Sequence, residues 1–517
     1  MSNSGGAIAE AFSRLPEYLG QHVLISMCAL VLGFWISLPL AIVAARRAWL
    51  RGPALGVASV IQTIPGLALL ALFYPLLLAL SAFTQHTFGF GFRALGFLPA
   101  LLALTLYSML PVLRNTVTAL AGIDPAIKTA ARGVGMTPWQ SLRLVELPLA
   151  TPFIMAGLRT AAVWVIGAAT LSTPVGQTSL GNYIFTGLQT ENWVFVLFGC
   201  AAAALLALVI DRLLALAESG FARRSRTRLT AAAVGLLIVA GAGLSPLWGG
   251  ESETITIGTK SFEEQYILGA LIGDRLEQAG FRAVRRDGLG SAVIFHALEA
   301  GDVDIYVDYS GTLWTTQMKR TDMPGRKAVL FQLANWASGK HVHDLGSLGF
   351  ENAYTFAMRA DRAKALGIET LADLAAYAPK MKIGGDYEFF SRPEWDAVVK
   401  AYGMRFALQR QYQANFMYSA LVDGDVDVIA AFSSDGRIAK YNLKLVGDPK
   451  QALPPYDAVL LVSPKHAQDQ KLLSALRPLI GAIDLATMQR ANLMVDQTND
   501  KQTPEQTAKW LAAHLTR

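Results

Sequence analysis

The run from Leu229 to Trp248 contains no charged residue and follows directly on the basic block Arg223-Arg224-Ser225-Arg226-Thr227-Arg228. An uncharged run of about twenty residues can cross a hydrocarbon layer ~30 Å thick as a helix, and arginines in front of it hold that end in the cytoplasm. Whatever follows Glu251 is then delivered to the outer side. A basic stretch ahead of an apolar one also fits a secretion signal removed by cleavage, which would leave the domain order unchanged. Either way, the chain changes character here.

Upstream lie five long apolar segments, from His22 to Ala45, Ala54 to Ala82, Leu95 to Leu120, Thr151 to Leu171 and Trp193 to Leu216. With the run at 229–248 they predict six spans. These divide into an all-α membrane domain over residues 1–222 and a basic block with its tethering helix over 223–250. The connections test the topology. The first, Arg46-Arg47-Ala48-Trp49-Leu50-Arg51, is basic, and the second has Arg93 alone. The third carries Lys128, Arg132 and Arg143, the fourth has no Lys or Arg, and the fifth is the arginine block. Positive charge in alternate connections places the first, third and fifth in the cytoplasm and the N-terminus outside.

Composition fits this division. Only 16% of residues are charged against 53% apolar, and the net charge of +6 is accounted for by the cytoplasmic arginines, so it does not call for nucleic acid. The two cysteines, Cys28 and Cys200, both fall in apolar runs, which leaves the outward half without any disulfide framework. Prolines 39, 65, 75 and 111 lie in or beside spans, where neighbouring helices can satisfy the freed backbone groups. Arg114 and Arg159 sit near cytoplasmic span ends, where a long side chain reaches the interface.

The third connection, residues 124–148, is the most informative part of the membrane half. Asp124 can cap a helix that has Pro125 in its first position, Gly135 can end it, and Thr137-Pro138 can open another. Two short amphipathic helices facing the cytoplasm are expected, as a docking surface for a partner or as an ordinary solvated loop. The stretch resembles the cytoplasmic coupling loop of ABC importer permeases in Thr129-Ala130-Ala131, Gly135 and Leu147-Pro148, with Thr129 where that family has glutamate. The resemblance implies that the loop seats in a groove of a separate ATP-binding subunit. This chain has no phosphate loop of its own: Gly258-Thr259-Lys260-Ser261 lacks a glycine at the required spacing and directly before the lysine.

Beyond Glu251, strand-like runs alternate with helical ones. Strands are expected at Thr254–Gly258, Phe281–Arg285, Val303–Tyr309, Ala353–Arg359, Met381–Gly384, Val426–Phe432 and Ala458–Val462, in α/β lobes with mainly parallel sheets. Ser261-Phe262-Glu263-Glu264 reads as a capping box opening a helix. An internal repeat aligns residues 296–310 without gaps on 419–433, each copy being a helix end, a Gly-Asp turn, a strand, an aromatic and a serine. Open α/β sheets bind ligands at the carboxyl ends of their strands, so Tyr309 and Phe432 are candidates for one cleft, or else core aromatics. Tyr354 and Tyr418 stand near them in the pattern. Electron-rich rings attract a cation with no proton to give, each contact contributing ~0.5–2 kcal/mol. Lys260 and Arg392 can meet an anionic end of the same ligand, or form surface ion pairs.

This half resembles the periplasmic-type binding proteins for glycine betaine, choline and related quaternary ammonium osmoprotectants over nearly all of residues 254–515. The matching stretches are Gly258 to Gln265, Gly301 to Tyr306 through Tyr309-Ser310-Gly311-Thr312, Ser391-Arg392-Pro393 and Leu453 to Asp457. The resemblance implies a two-lobed domain, with one lobe over about 254–350 and 457–517 and the other over about 351–456. It implies an ammonium head in an aromatic cage of Tyr309, Tyr354, Tyr418 and Phe432, and polar contacts from Lys260, Gln265, Thr312 and Arg392. Phe432 stands where a tyrosine is common and Asn352 where some members have an acid.

The expected whole is a six-helix membrane domain of the type I ABC importer permease kind, followed by an α/β two-lobed binding domain at 251–517. It would sit in a bacterial inner membrane with the C-terminal domain outside. A separate ATP-binding subunit, a second permease copy and a quaternary ammonium ligand, glycine betaine foremost, are its expected partners; no cofactor or metal is expected in the chain. His341 and His343 have no evident third ligand. The rival reading is a ligand-gated channel or a sensor, but neither a pore loop nor a cytoplasmic signalling domain is visible. There is also no HExxH or GxSxG to support an enzyme.

Overall fold

The computed structural model describes residues 4–190, 192–244, 254–322, 324–386, 388–497 and 500–515. Two compact units emerge, one built mainly from Ile8–Gly187 and Trp193–Glu251, the other from Ser252–Arg517.

The first unit is all helix: α1 (Ser4–Arg46), α2 (Ala48–Thr63), α3 (Gly66–Phe88), α4 (Phe97–Ala121), α5 (Pro125–Gly133), α6 (Pro138–Ser141), α7 (Leu147–Ala169), α8 (Gly181–Gln189), α9 (Trp193–Ala222) and α10 (Arg226–Leu244). Among the described residues six helical stretches are long and apolar enough to cross a membrane: Gly6–Arg46, Gly66–Phe88, Phe97–Ala121, Pro138–Val175, Trp193–Ala222 and Arg226–Leu244. The end of the tether, residues 245–248, lies outside the described residues.

Two details differ from expectation. The segment from Ala54 to Ala82 is two helices, because Pro65 forces Ile64 into an extended conformation (φ −70°, ψ 127°) and α3 starts afresh behind it. Arg159 is ion-paired within the helix bundle. Its Nε donates to Asp211 Oδ1 at 2.9 Å and its Nη1 to Glu218 Oε2 at 3.0 Å, an ion triad joining α7 to α9. Close packing elsewhere relies on small residues: a Cβ on Gly157 of α7 would lie 2.8 Å from the Pro111 carbonyl of α4.

The connection between α4 and α7 is capped as its sequence requires. Asp124 accepts from the Ala126 amide at 2.8 Å, Gly135 takes φ +84°, and Thr137 forms a reciprocal box with Gln140 ahead of α6. A π-helical turn, Leu142–Glu146, leads into α7. Thr129, Ala130 and Gly135 are exposed, Ala131 is buried, Leu147 is half-buried and Pro148 exposed. Val134 and Trp139 leave 75% and 66% of their surface open, large for apolar side chains on a polar loop.

The second unit holds two five-stranded sheets. The first has the order β2 (Arg282–Leu289), β1 (Thr254–Lys260), β3 (Ile305–Tyr309), β10 (Asp457–Val462), β4 (His343–Glu351). The second runs β7 (Leu408–Tyr412), β6 (Lys382–Asp386), β8 (Val428–Phe432), β5 (Tyr354–Arg359), β9 (Leu443–Val446). Each sheet is mixed: four of its five strands point the same way, the first three pairing in parallel, and the fourth, β10 or β5, runs antiparallel to both of its neighbours.

The internal repeat lands on equivalent places. Gly301 (φ +75°) and Gly424 (φ +80°) turn the chain into β3 and β8. Asp304 and Asp427 then fasten the new strand identically, each accepting from the backbone amide of a central-strand residue, Thr256 and Lys382, at 2.8 Å. The chain passes between the sheets at residues 352–353 and 447–456, where the Asn352 amide donates to the Tyr456 carbonyl at 2.9 Å.

Candidate functional site: an aromatic cavity between two sheets

The helix α11 (Glu263–Gln278) begins one turn beyond Lys260, but its capping box does not form: Phe262 precedes it without any side-chain cap. Glu264 instead turns inward, and what it does there is central to the site.

A cavity of about 210 Å³ opens where the parallel strands of both sheets end. Lys260, Leu289, Tyr309, Asp386, Tyr412 and Phe432 are the last residues of β1, β2, β3, β6, β7 and β8, and all six line it. Tyr354, the first residue of antiparallel β5, and Tyr456, just before β10, also line it, as do Phe262, Thr312, Asn352, Glu388 and Arg392. The rings touch one another. Phe262 lies 6.0 Å from Tyr309 and 6.3 Å from Phe432, and Tyr354 lies 5.1 Å from Phe432 and 5.6 Å from Tyr456, centroid to centroid.

Of the expected cage, Tyr309, Tyr354 and Phe432 converge. Tyr418 does not. It is sealed behind the wall, its hydroxyl accepting from the Phe432 amide at 3.1 Å and its ring face covered by the Arg437 guanidinium at 4.4 Å. Arg437 is held there by the buried acids Glu263, Asp435 and Asp496. Three carboxylates so close would suit a metal, but the guanidinium is the cation that serves them. Burial and the neighbouring acids push the Glu263 and Asp496 carboxyls above their ordinary range against the pull of Arg437.

The polar candidates also divide. Lys260, Thr312, Asn352 and Arg392 line the cavity; Gln265 lies behind it, and its contribution is positional. Gln265 accepts from the Lys260 amide at 3.2 Å and donates to the Val307 carbonyl at 3.1 Å and the Tyr309 hydroxyl at 3.0 Å. The Lys260 ammonium is paired with Asp308 and lies 5.4 Å from the Tyr309 centroid. Arg392 donates to Glu388 and, from the other lobe, to Thr312 Oγ1, both at 3.0 Å, with Glu394 at 3.5 Å. Its guanidinium is 5.4 Å from the Tyr354 centroid.

Sequence reasoning missed a large part of the wall, including Phe262, Leu289, Asp386, Glu388, Tyr412 and Tyr456. Tyr412 and Asp386 end strands, a position at which the repeat had already exposed Tyr309 and Phe432. Phe262 was hidden inside an apparent capping box.

The chain matches two sequence families. Residues 37–223 match the binding-protein-dependent transport system inner membrane component, and residues 253–513 the substrate binding domain of the ABC-type glycine betaine transport system. Among characterised relatives, the ergothioneine transport permease/ergothioneine binding protein EgtU of Helicobacter pylori (strain G27) is 30% identical over 478 residues, 89% of this chain and 83% of that protein. The choline transport system permease protein OpuBB of Bacillus subtilis (strain 168) is 41% identical over 198 residues, 38% of this chain and 84% of that one. A solved glycine betaine/carnitine/choline ABC transporter structure is 29% identical, covering 50% of this chain and 98% of its own, with a TM-score of 0.44.

Proposed function

Because this chain belongs to the glycine betaine-type ABC import systems, with the inner-membrane component and the substrate-binding domain in one polypeptide, we propose that it captures a quaternary ammonium solute in the aromatic cavity and passes it through its own spans. It is a multi-pass membrane transport subunit and not an enzyme. The observation that carries the finer reading is six rings, Phe262, Tyr309, Tyr354, Tyr412, Phe432 and Tyr456, on the wall of one small cavity. At ~0.5–2 kcal/mol each, three or four cation contacts supply much of the ~8 kcal/mol that micromolar binding needs. Relatives named for ergothioneine and for choline support the same head group, since both ligands carry trimethylammonium.

The far end of the ligand is a carboxylate in this reading. Lys260, Thr312 and Arg392 share the wall, where Arg392 offers a guanidinium whose Nε lies 3.5 Å from Glu394 without a hydrogen bond. An incoming carboxylate fits that donor. Ligand binding draws the lobes together, the binding domain lies on the outer side, and a second copy of the chain completes the pathway. The loop 124–148, with Thr129, Ala130, Ala131, Gly135, Leu147 and Pro148, docks a separate ATP-binding subunit, whose closure drives the spans. The exposed Val134 and Trp139 supply an apolar face for that contact.

Titrating the full chain in lipid nanodiscs with glycine betaine, choline, carnitine and ergothioneine tests this. The carboxylated ligands are expected to bind more tightly than choline. Choline binding tenfold or more tightly than all three would remove Lys260 and Arg392 from the anion site, and binding of none would end the reading.

A further inference from the structure

Two of the cavity's tyrosines share a feature that packing does not require. In the first lobe the Tyr309 hydroxyl donates to Glu264 Oε1 at 2.6 Å; in the second the Tyr354 hydroxyl donates to Asp386 Oδ2 at 2.9 Å. Both acids are buried, with 1% and 9% of their surface exposed. Glu264 also accepts from Asn352 Nδ2 at 3.1 Å and Asn492 Nδ2 at 2.9 Å, and Asp386 from the amides of Glu388 at 2.7 Å and Phe389 at 3.0 Å.

Neither acid has a cation. Around them every other buried carboxylate is paired: Asp308 with Lys260, Glu394 with Arg392, and Glu263, Asp435 and Asp496 with Arg437. Among the described residues no Lys, Arg or His comes within ion-pair distance of Glu264 or Asp386. A buried carboxylate held by neutral donors alone is costly, and burial pushes both carboxyls above the ordinary range. Each also lies one phenol away from, or directly on, the wall of a cavity lined with rings. A hydrogen bond donated to a carboxylate drives electron density back into the phenol ring, which strengthens its pull on a cation.

Given the proposed reading of the cavity as a quaternary ammonium site, we infer that Glu264 and Asp386 are the counter-charges of the bound cation, acting through Tyr309 and Tyr354, and so determine specificity for a charged head group. The two lobes contribute one each, so full compensation requires both halves to face the ligand. The absent helix cap has the same origin: Glu264 leaves its local role at the start of α11 to reach Tyr309.

The test uses Glu264→Gln and Asp386→Asn in the full chain in lipid nanodiscs. Both neutral amides keep an acceptor for the tyrosine hydroxyl. Affinity is measured for whichever of the four ligands binds the parent most tightly, and hydrogen exchange is followed in the ligand-free protein over α11 and β6. Each variant is expected to lose tenfold or more in affinity while its ligand-free amide protection stays level or rises, because a desolvated charge has been removed. Each residue is judged on its own variant. Affinity within threefold of the parent overturns its role, as does lost affinity accompanied by lost protection, which marks a structural residue. A parent that binds none of the four ligands overturns the functional reading, and this inference with it; a parent that binds while the variants match it overturns the inference alone.

Discussion

At the scale of single residues, the cavity sorts tyrosines of similar sequence context into different roles. Tyr309 presents its ring to the cavity, and Tyr418 gives its ring to Arg437. Tyr309→Ala should therefore weaken binding of the best ligand at least tenfold by calorimetric titration, and an unchanged affinity would take Tyr309 out of the site. Tyr418→Leu should lower stability by ~1–3 kcal/mol, the range for losing a buried hydrogen bond and a desolvated cation–π contact, in a denaturant titration of the C-terminal unit. The gapless repeat made Tyr309 and Phe432 legible, because it fixed both at the end of a strand. Tyr418 was misplaced because a helix position says nothing of which side of the sheet its ring reaches. Away from the site, burial pushes the Asp344 carboxyl up to about 6, against the pull of the Gly346 amide. The folded protein then binds that proton more tightly than the unfolded chain, so the stabilisation is present below the ordinary carboxylate range and is lost as pH rises through about 6. Asp344→Asn should match the parent near pH 4 and exceed its unfolding midpoint at pH 7–8; equal midpoints at both would refute the assignment.

At the scale of elements, the strands that sequence reasoning missed, β4, β7 and β9, are all at sheet edges. Edge strands bury one side at most, so they need no hydrophobic run: β7 reads Leu-Gln-Arg-Gln-Tyr and is mostly exposed. The central strands were legible because both faces are covered; β3, β6 and β10 are buried along nearly their whole length. Antiparallel pairing of β5 and β10 was not legible, since direction depends on where the chain crosses between sheets and not on side-chain pattern. One glycine couples such an element to the site. A Cβ on Gly311 would lie 2.6 Å from the Tyr456 ring, so Gly311→Ala forces that ring to move. A loss of ~1–3 kcal/mol of stability, as for other overpacked cores, together with weaker ligand binding is expected, and a variant with parental thermal midpoint and affinity would show that the ring has room.

At the scale of the whole molecule, one chain combines a unit of membrane-length helices with a unit whose cavity faces ligand chemistry. The division was legible from charge alone, since Leu229 to Trp248 has none and the arginines before it are dense. In the proposed function, coupling to an ATP-binding subunit runs through the loop 124–148. Trp139→Asp should abolish ligand-stimulated ATP hydrolysis after reconstitution with the ATP-binding subunit while leaving ligand affinity as it was. Stimulation at the parental level would mean that docking uses another surface.

The most direct measurement of the central claim is a structure of the full chain with its tightest ligand bound. The account predicts the trimethylammonium nitrogen within about 6 Å of the ring centroids of Tyr309, Tyr354 and Phe432, the reach of a cation–π contact. A ligand whose ammonium lies outside that cavity, or one held there with its ammonium turned toward Lys260 and Arg392, would contradict it.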